Sequence, residues 1–210
     1  MPTPPTGPRL TQDDAEALLQ PYLVEVRECY NHAWAEWEKF GETLPAMRRA
    51  LSPSARARFI YDWTTDHARR LFGDPDRQGV RILSVRGLFV LDVEGLALVR
   101  FKKLRPNLTT CGIPTRQQQR FAFQQPLPGM PPQATKLVAG YLLNAVEDGI
   151  DRLIVTCSVD TRLEWAFEIP PEGGAQIVQF APAPVTPPSA TVRSATRKRE
   201  EERTQEKDDQ

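Results

Sequence analysis

The hydrophobic periodicity of the chain changes near Gly79, and this change constrains the fold more than any other feature of the sequence. Before Gly79, apolar residues recur every three to four positions, which is typical of amphipathic helices. After it, short runs rich in Val, Ile, Leu and Phe are separated by turns that contain glycine. Helices followed by closely spaced strands predict an α+β fold with a mainly antiparallel sheet of about six strands.

The helical pattern occupies residues 11–78. Thr11 precedes two aspartates, which is a favourable helix start because acidic groups stabilise the first turn. Pro21 is expected to kink or split the first helix, since proline lacks the backbone donor that a helix interior needs. Ser52 followed by Pro53 predicts a later helix with a cap and proline at its first position.

The strand-like pattern begins with three runs, VRILSVRG, LFVLDVEG and LALVRFKKL, which predict a tight meander. The later runs DRLIVTCSV and RLEWAFEIP also predict strands. Residues 135–146 fit either a helix or a strand. Gly140 weakens a helix there, and the following EDG sequence is typical of a turn, so a strand is favoured.

Proline marks the ends of the folded region. The chain has 20 prolines in 210 residues, about twice the usual share of roughly 5%. Many of them lie in segments with little to bury, which is typical of disordered chain. We predict a disordered arm over residues 1–10, one domain formed by a helical region at 11–78 and a β region at 79–180, and a disordered charged tail over 181–210.

Several functional classes are disfavoured by simple counts. The three cysteines are widely spaced and form no zinc-binding pattern, and no glycine pattern of the nucleotide-binding kind occurs. The first residues contain no apolar signal segment, and no apolar run reaches the roughly 18 residues that a membrane span needs. We expect a cytoplasmic protein with reduced thiols and without a metal, a cofactor or a membrane partner.

The charge distribution is the strongest functional signal. The chain is neutral, with 27 basic and 27 acidic residues, yet residues 95–146 contain seven Lys or Arg and no Asp or Glu. A basic face of this kind binds nucleic-acid phosphates or an acidic protein surface. The predicted binding residues are Arg100, Lys102, Lys103, Arg105, Arg116 and Arg120.

Two further observations bear on the partner of this basic segment. Phe101, Phe121 and Phe123 lie among the basic residues, where they could stack on unpaired nucleic-acid bases. The first fifty residues carry more acids than bases, so the basic segment could instead pair with the acidic helix predicted within residues 13–42. That second arrangement would favour a structural or assembly protein.

Asp92 and Glu94 support an alternative, catalytic interpretation. If the chain turns through two residues after Val93, Asp92 lies opposite Ala97 on an apolar face that also holds Phe101. A carboxylate on an apolar face is costly unless it is paired, and it often marks a functional site.

Metal-dependent nucleases of the PD-(D/E)xK type place an Asp on one hairpin strand and an acid-x-Lys on the next. Here Arg100 stands two positions before Lys102, so the second acid is missing at that place. This nuclease or toxin hypothesis also requires residues 135–146 to be helical and another acid, Asp62 or Asp66, to approach Asp92. His67 is the remaining catalytic candidate, as a general base, although its position on an apolar helix face is more typical of a buried histidine.

The runs RFKKL, PTRQQQRFAFQQPLPG, TKLVAGYLL and LEWAFEI resemble, over about residues 60–170, an uncharacterised group of bacterial and phage-associated proteins encoded near regulators on mobile elements. The resemblance implies this context and no activity. The sequence therefore favours a non-enzymatic interaction module that contacts nucleic acid or an acidic protein partner. A divergent nuclease and a structural or assembly protein are the alternatives.

Overall fold

A computed structural model describes residues 8–110, 112 and 115–171. The helices within these residues are α1 (Gln12–Leu19), α2 (Leu23–Thr43), α3 (Pro45–Ala50), α4 (Pro53–Phe72) and α5 (Arg116–Ala122). The strands are β1 (Val80–Val85), β2 (Leu88–Val93), β3 (Ala97–Lys103), β4 (Thr135–Leu143), β5 (Ile150–Val159) and β6 (Arg162–Glu168). Most of the predicted N-terminal arm, and the whole predicted tail, lie outside the described residues.

The six strands form one sheet in the order β1-β2-β3-β4-β5-β6. All neighbours are antiparallel except β3 and β4, which run parallel. A parallel pair needs a crossover connection, and residues 104–134, which contain α5, supply it. The predicted α+β fold is confirmed. Residues 135–143 form a strand, as the sequence favoured.

The helix starts follow the predicted capping chemistry. The Thr11 hydroxyl accepts a hydrogen bond from the backbone N–H of Asp14 at 3.2 Å, and the Ser52 hydroxyl accepts one from Ala55 at 3.2 Å. Pro21 lies in a short 3-10 turn that separates α1 from α2, so the helix is split there as expected.

The main core lies between the sheet and the layer formed by α1, α2 and α4. Side chains of a strand alternate between its two faces, so Phe89 and Leu91 of β2 pack on the helices. Cys29 and Cys157 are buried in this core as free thiols. Tyr30 of α2 is also fully buried there, against the junction of β3 and β4.

The opposite face of the sheet is covered by the crossover. Phe121 of α5 joins Leu127 and Met130 in a second, smaller core over β2, β3 and β4. Gln124 fixes this cover, because its side-chain amide donates to the carbonyls of Lys136 (2.8 Å) and Ser158 (3.0 Å). The Gln124 side-chain oxygen also accepts from the Lys136 backbone N–H at 2.8 Å.

The turn between β2 and β3 differs from the predicted one. Val93 pairs with Ala97, and Asp92 pairs with Leu98, so the turn contains three residues rather than two. The predicted pairing of Asp92 with Ala97 is therefore wrong by one position. A one-residue slip exchanges the two faces of a strand, so Asp92 shares its face with Leu98 and Arg100 instead of Phe101.

None of the helices in the described part of the chain is long and apolar enough to cross a bilayer.

Candidate anion-binding site

The structure places the six predicted binding residues in three locations. Arg100 and Lys102 of β3 line a cavity beneath the crossover. Lys103 points to the other side of the sheet, where its Nζ lies 3.4 Å from Glu147 Oε1. Arg105, Arg116 and Arg120 are exposed on the crossover itself, and we call these three the outer arginines.

The cavity lies between α5 and the sheet and has a volume of about 230 Å³. Arg100 pairs with Val138 across β3 and β4, and Leu98 pairs with Lys136. Because alternate residues of a strand share a face, Lys136 and Arg100 are diagonal neighbours in the cavity floor. The roof is formed by side chains of α5, including Gln118 and Phe121.

Arg100 is the most unusual group of the cavity. Its guanidinium carbon lies 4.8 Å from the centroid of the Phe121 ring, in a cation–π contact. Within the described residues it forms no ion pair and no side-chain hydrogen bond. Burial lowers the pKa of Arg100 to about 10, so the side chain remains charged at neutral pH.

Lys136 is 3% exposed, and its ammonium group is partly satisfied by backbone carbonyls. Its Nζ donates to Ala134 O at 2.9 Å and to Gln124 O at 3.4 Å. Burial lowers the pKa of Lys136. An ammonium has three protons, so one donor of Lys136 is left over from these two bonds.

The outer arginines Arg116 and Arg120 lie one helical turn apart on α5. Both are exposed, whereas Gln118 and Phe121 of the same helix line the cavity. The α5 helix is capped by Thr115, whose hydroxyl accepts from the Gln118 backbone N–H at 3.2 Å. One short helix therefore separates a basic outer surface from a basic cavity.

Two of the three phenylalanines of the basic segment, Phe101 and Phe121, do not form a stacking surface, whereas Phe123 is half-buried. Phe101 is 1% exposed and Phe121 is 4% exposed, so neither ring face is available to a nucleic-acid base. The expectation that these two rings stack on unpaired bases is wrong. Both are core residues, because the strand and helix that carry them each direct one face into apolar surroundings.

Two acidic residues of α2 pair with groups outside the basic segment. Glu25 accepts a hydrogen bond from Arg77 at 2.6 Å, and Glu28 lies 3.0 Å from His67. Both partners belong to α4 or to the loop that follows it. These contacts therefore do not support the alternative in which the acidic residues of α2 pair with the basic segment.

Asp92 is buried and already satisfied. Its Oδ2 accepts from Arg81 Nε at 2.7 Å, and its Oδ1 accepts from the Gly95 backbone N–H at 3.1 Å. Glu94 is exposed in the adjoining turn. An Asp at the end of a strand commonly bonds the backbone of the turn that follows, and Asp92 has this role.

The further requirements of a nuclease are not met in this region. Residues 135–143 are a strand rather than a helix. Asp62 and Asp66, the acids considered as additional ligands, pair instead with Arg58 and Arg70 on their own helix. The described residues contain no group of three His, Cys, Asp or Glu side chains arranged to hold a metal ion.

His67 stacks on His32, with ring centroids 4.2 Å apart and an angle of 24° between the planes. His32 Nε2 and His67 Nδ1 are buried without a hydrogen-bond partner among the described residues. His32 therefore lies in the contact between α2 and α4. This pair is on the opposite side of the sheet from the cavity.

Sequence reasoning missed Lys136, Gln124 and α5 as parts of the site. Lys136 counted only as one more base, although its position inside the predicted strand TKLVAGYLL was a signal that its side chain could be buried. The α5 segment has a Thr cap but too few apolar residues to show a helical period.

No protein-family model, curated protein or solved structure matches this chain. The fold and the site alone define its class, which is an α+β protein with a basic cavity covered by a basic helix.

Proposed function

We propose that this protein is a non-enzymatic interaction module of a bacterial or phage mobile-element system that contacts an acidic protein surface through the outer arginines. The observation that carries the proposal is the exposure of Arg116 and Arg120 on one side of α5, within a span of the chain that has no acid. Exposed arginines present planar forks of donors, which match carboxylates in two-bond geometry.

An acidic protein fits this surface better than nucleic acid does. Proteins that bind nucleic acid through phosphates commonly make about 6 to 10 such contacts. The three outer arginines supply fewer, and the neighbouring rings of Phe101 and Phe121 are buried. A small number of arginine–carboxylate pairs is sufficient to orient a protein partner and to accelerate its association.

The test uses two double variants. One combines Arg116→Ser and Arg120→Ser on α5. The matched control combines Arg49→Ser and Arg58→Ser, at exposed positions of the helical layer. Binding of a labelled poly-glutamate peptide is measured by fluorescence anisotropy at low and moderate salt. Loss of two exposed charge pairs is expected to weaken binding about fivefold or more and to flatten its salt dependence. The matched variant is expected to bind like the native protein.

Labelled single-stranded and duplex DNA are measured in parallel. Equal binding of the peptide by all three proteins would contradict the proposal. Tighter binding of DNA than of peptide, lost in the Arg116 and Arg120 variant, would identify nucleic acid as the partner instead.

A further inference from the structure

Independently of the outer surface, we propose that the cavity between α5 and the sheet is a binding site for a small organic oxyanion, a carboxylate or phosphate group carried on a compact apolar body. The site is built from Arg100 and Lys136 on the floor and Phe121 in the roof. The proposal does not depend on what the outer arginines contact.

Arg100 supplies the first argument. A guanidinium has five N–H donors, and its contact with the Phe121 ring provides none of them with an oxygen acceptor. Arg100 is half-buried, and holding a charged group partly away from water without acceptors is costly. An oxyanion in the cavity would supply the two acceptors that the arginine fork matches.

Thr156 and Lys136 add donors beside Arg100. Thr156 pairs with Val138, which in turn pairs with Arg100, so Arg100 and Thr156 lie in one row across three strands. Thr156 is 2% exposed, and its hydroxyl forms no hydrogen bond with another described residue. Lys136 contributes the proton that its two carbonyl contacts do not use.

The charge of the lining also favours an anion. Three cationic side chains, Arg100, Lys102 and Lys136, line the cavity with one carboxylate, Asp160. A neutral or cationic ligand would leave this excess of positive charge uncompensated in a partly desolvated place.

The size and the apolar walls define the rest of the ligand. A volume of about 230 Å³ limits the ligand to a small molecule. Leu108, Phe121 and Val138 provide apolar surface beside the cations. A duplex or a folded protein does not fit such a space, whereas a molecule of the size of benzoate does.

The experiment uses the full chain and three probes of similar shape: benzoate, phenyl phosphate and the neutral benzamide. Each is titrated by NMR chemical-shift perturbation and by thermal denaturation. Benzoate, phenyl phosphate or both are expected to saturate, to shift amides of α5, β3 and β4, and to raise the unfolding temperature. Benzamide is expected to do neither at the same concentrations, because it lacks the charge.

Arg100→Met keeps an unbranched, flexible side chain, although a shorter one, and removes the charge and the donors. It is expected to weaken oxyanion binding about tenfold or more, the usual effect of losing hydrogen bonds to a charged group. Arg100→Lys and the isosteric Thr156→Val are expected to weaken binding by smaller factors, and they report on the site if Arg100→Met does not fold. The double variant of Arg49 and Arg58, two exposed arginines of the helical layer on the other side of the sheet, is the control and should bind as the native protein does.

Four results would overturn the proposal. They are the absence of saturable binding by either oxyanion, equal binding of benzamide, undiminished binding by the Arg100 and Thr156 variants, and loss of binding in the control. Whichever oxyanion binds more tightly identifies the head group. These probes differ from the acidic peptide used above. The two proposals are therefore tested independently, and failure of one does not decide the other.

Discussion

His32 and His67 show how a contact between two side chains makes stability depend on pH. The groups that face the stacked rings are Glu28 and Glu36 on α2 and Asp66 and Arg70 on α4. The pKa of His32 is lowered, first by burial and then by the neighbouring His67. The folded protein therefore binds a proton at His32 less readily than the unfolded chain does.

This difference sets the direction of a pH effect. The unfolded chain takes up the proton as the pH falls below about 6.5, while the folded state still resists it. Stability rises with pH wherever the unfolded state binds more protons, so it should fall as the pH is lowered through this range. Thermal unfolding at pH 7.5 and 5.5 measures the effect, and His32→Gln should make the unfolding temperature less sensitive to pH.

Asn31→Gln, an exposed change on the same helix, is the control and should keep the native pH dependence. If His32→Gln and the native protein lose the same stability between the two pH values, other groups cause the effect.

Among the features of single residues, those that depend only on neighbours in sequence could be predicted. The caps at Thr11 and Ser52 needed only the residues that follow them, and the structure confirms both. The stacking of His32 on His67 depends on how two helices are packed, and the burial of Lys136 depends on what covers β4. No local pattern contains that information.

Gly140 in β4 illustrates how one element determines the path of another. A Cβ atom placed on Gly140 would lie 2.4 Å from Leu104 Cγ, far inside a normal contact. Leu104 is 1% exposed and donates its backbone N–H to Tyr141 O at 2.9 Å. The crossover thus begins by packing a leucine directly over the glycine of the neighbouring strand, which is a common use of glycine within a strand.

Gly140→Ala is therefore expected to destabilise the protein by about 1–3 kcal/mol, since an added methyl in a packed place forces its neighbours to move. Urea denaturation measures the free energy of unfolding. Gly149→Ala is the control, because the nearest atom there is a flexible Asn144 side-chain nitrogen at 3.3 Å. Adding Leu104→Ala should cost less in the Gly140→Ala background than in the native one, and strict additivity would show that the two residues do not clash.

The elements themselves were predictable to different degrees. The long helices and the later strands have strong periods, so their positions followed from the sequence. The α5 helix has seven residues, too few to be stable alone, and it forms because Phe121 packs on the sheet and Thr115 caps it. The three-residue turn after β2 was misjudged because both turn lengths suit Glu94-Gly95, and only pairing with β3 decides between them.

For the whole molecule, the arrangement of layers determines which charges can act together. The sheet separates Lys103, on the helical side, from Arg100 and Lys102, on the crossover side. A run of basic residues in a strand therefore cannot form one face. The sequence predicted an unusual concentration of charge, and its division between an outer surface and a cavity followed only from the crossover.

The helical layer is joined to the sheet at its single parallel junction by Tyr30. The Tyr30 hydroxyl donates to Ala139 O of β4 at 2.7 Å and accepts from the Lys102 N–H of β3 at 3.1 Å. Removing this hydroxyl leaves a carbonyl and an N–H group unpaired in a dry part of the core, which costs about 1–3 kcal/mol. Tyr30→Phe should therefore lower the free energy of unfolding by this amount.

Tyr61→Phe is the matched control, since Tyr61 packs at the edge of the same core and its hydroxyl forms no hydrogen bond with another described residue. Urea denaturation followed by tryptophan fluorescence compares the two variants. The slope of the unfolding free energy against urea concentration reports the surface that is exposed on unfolding. If Tyr30→Phe leaves this slope unchanged, the lost stability is due to the hydrogen bonds. If Tyr30→Phe and Tyr61→Phe were equally stable, the Tyr30 hydroxyl would not contribute to holding β3 and β4 together. Tyr30 would then stabilise the core through its ring alone.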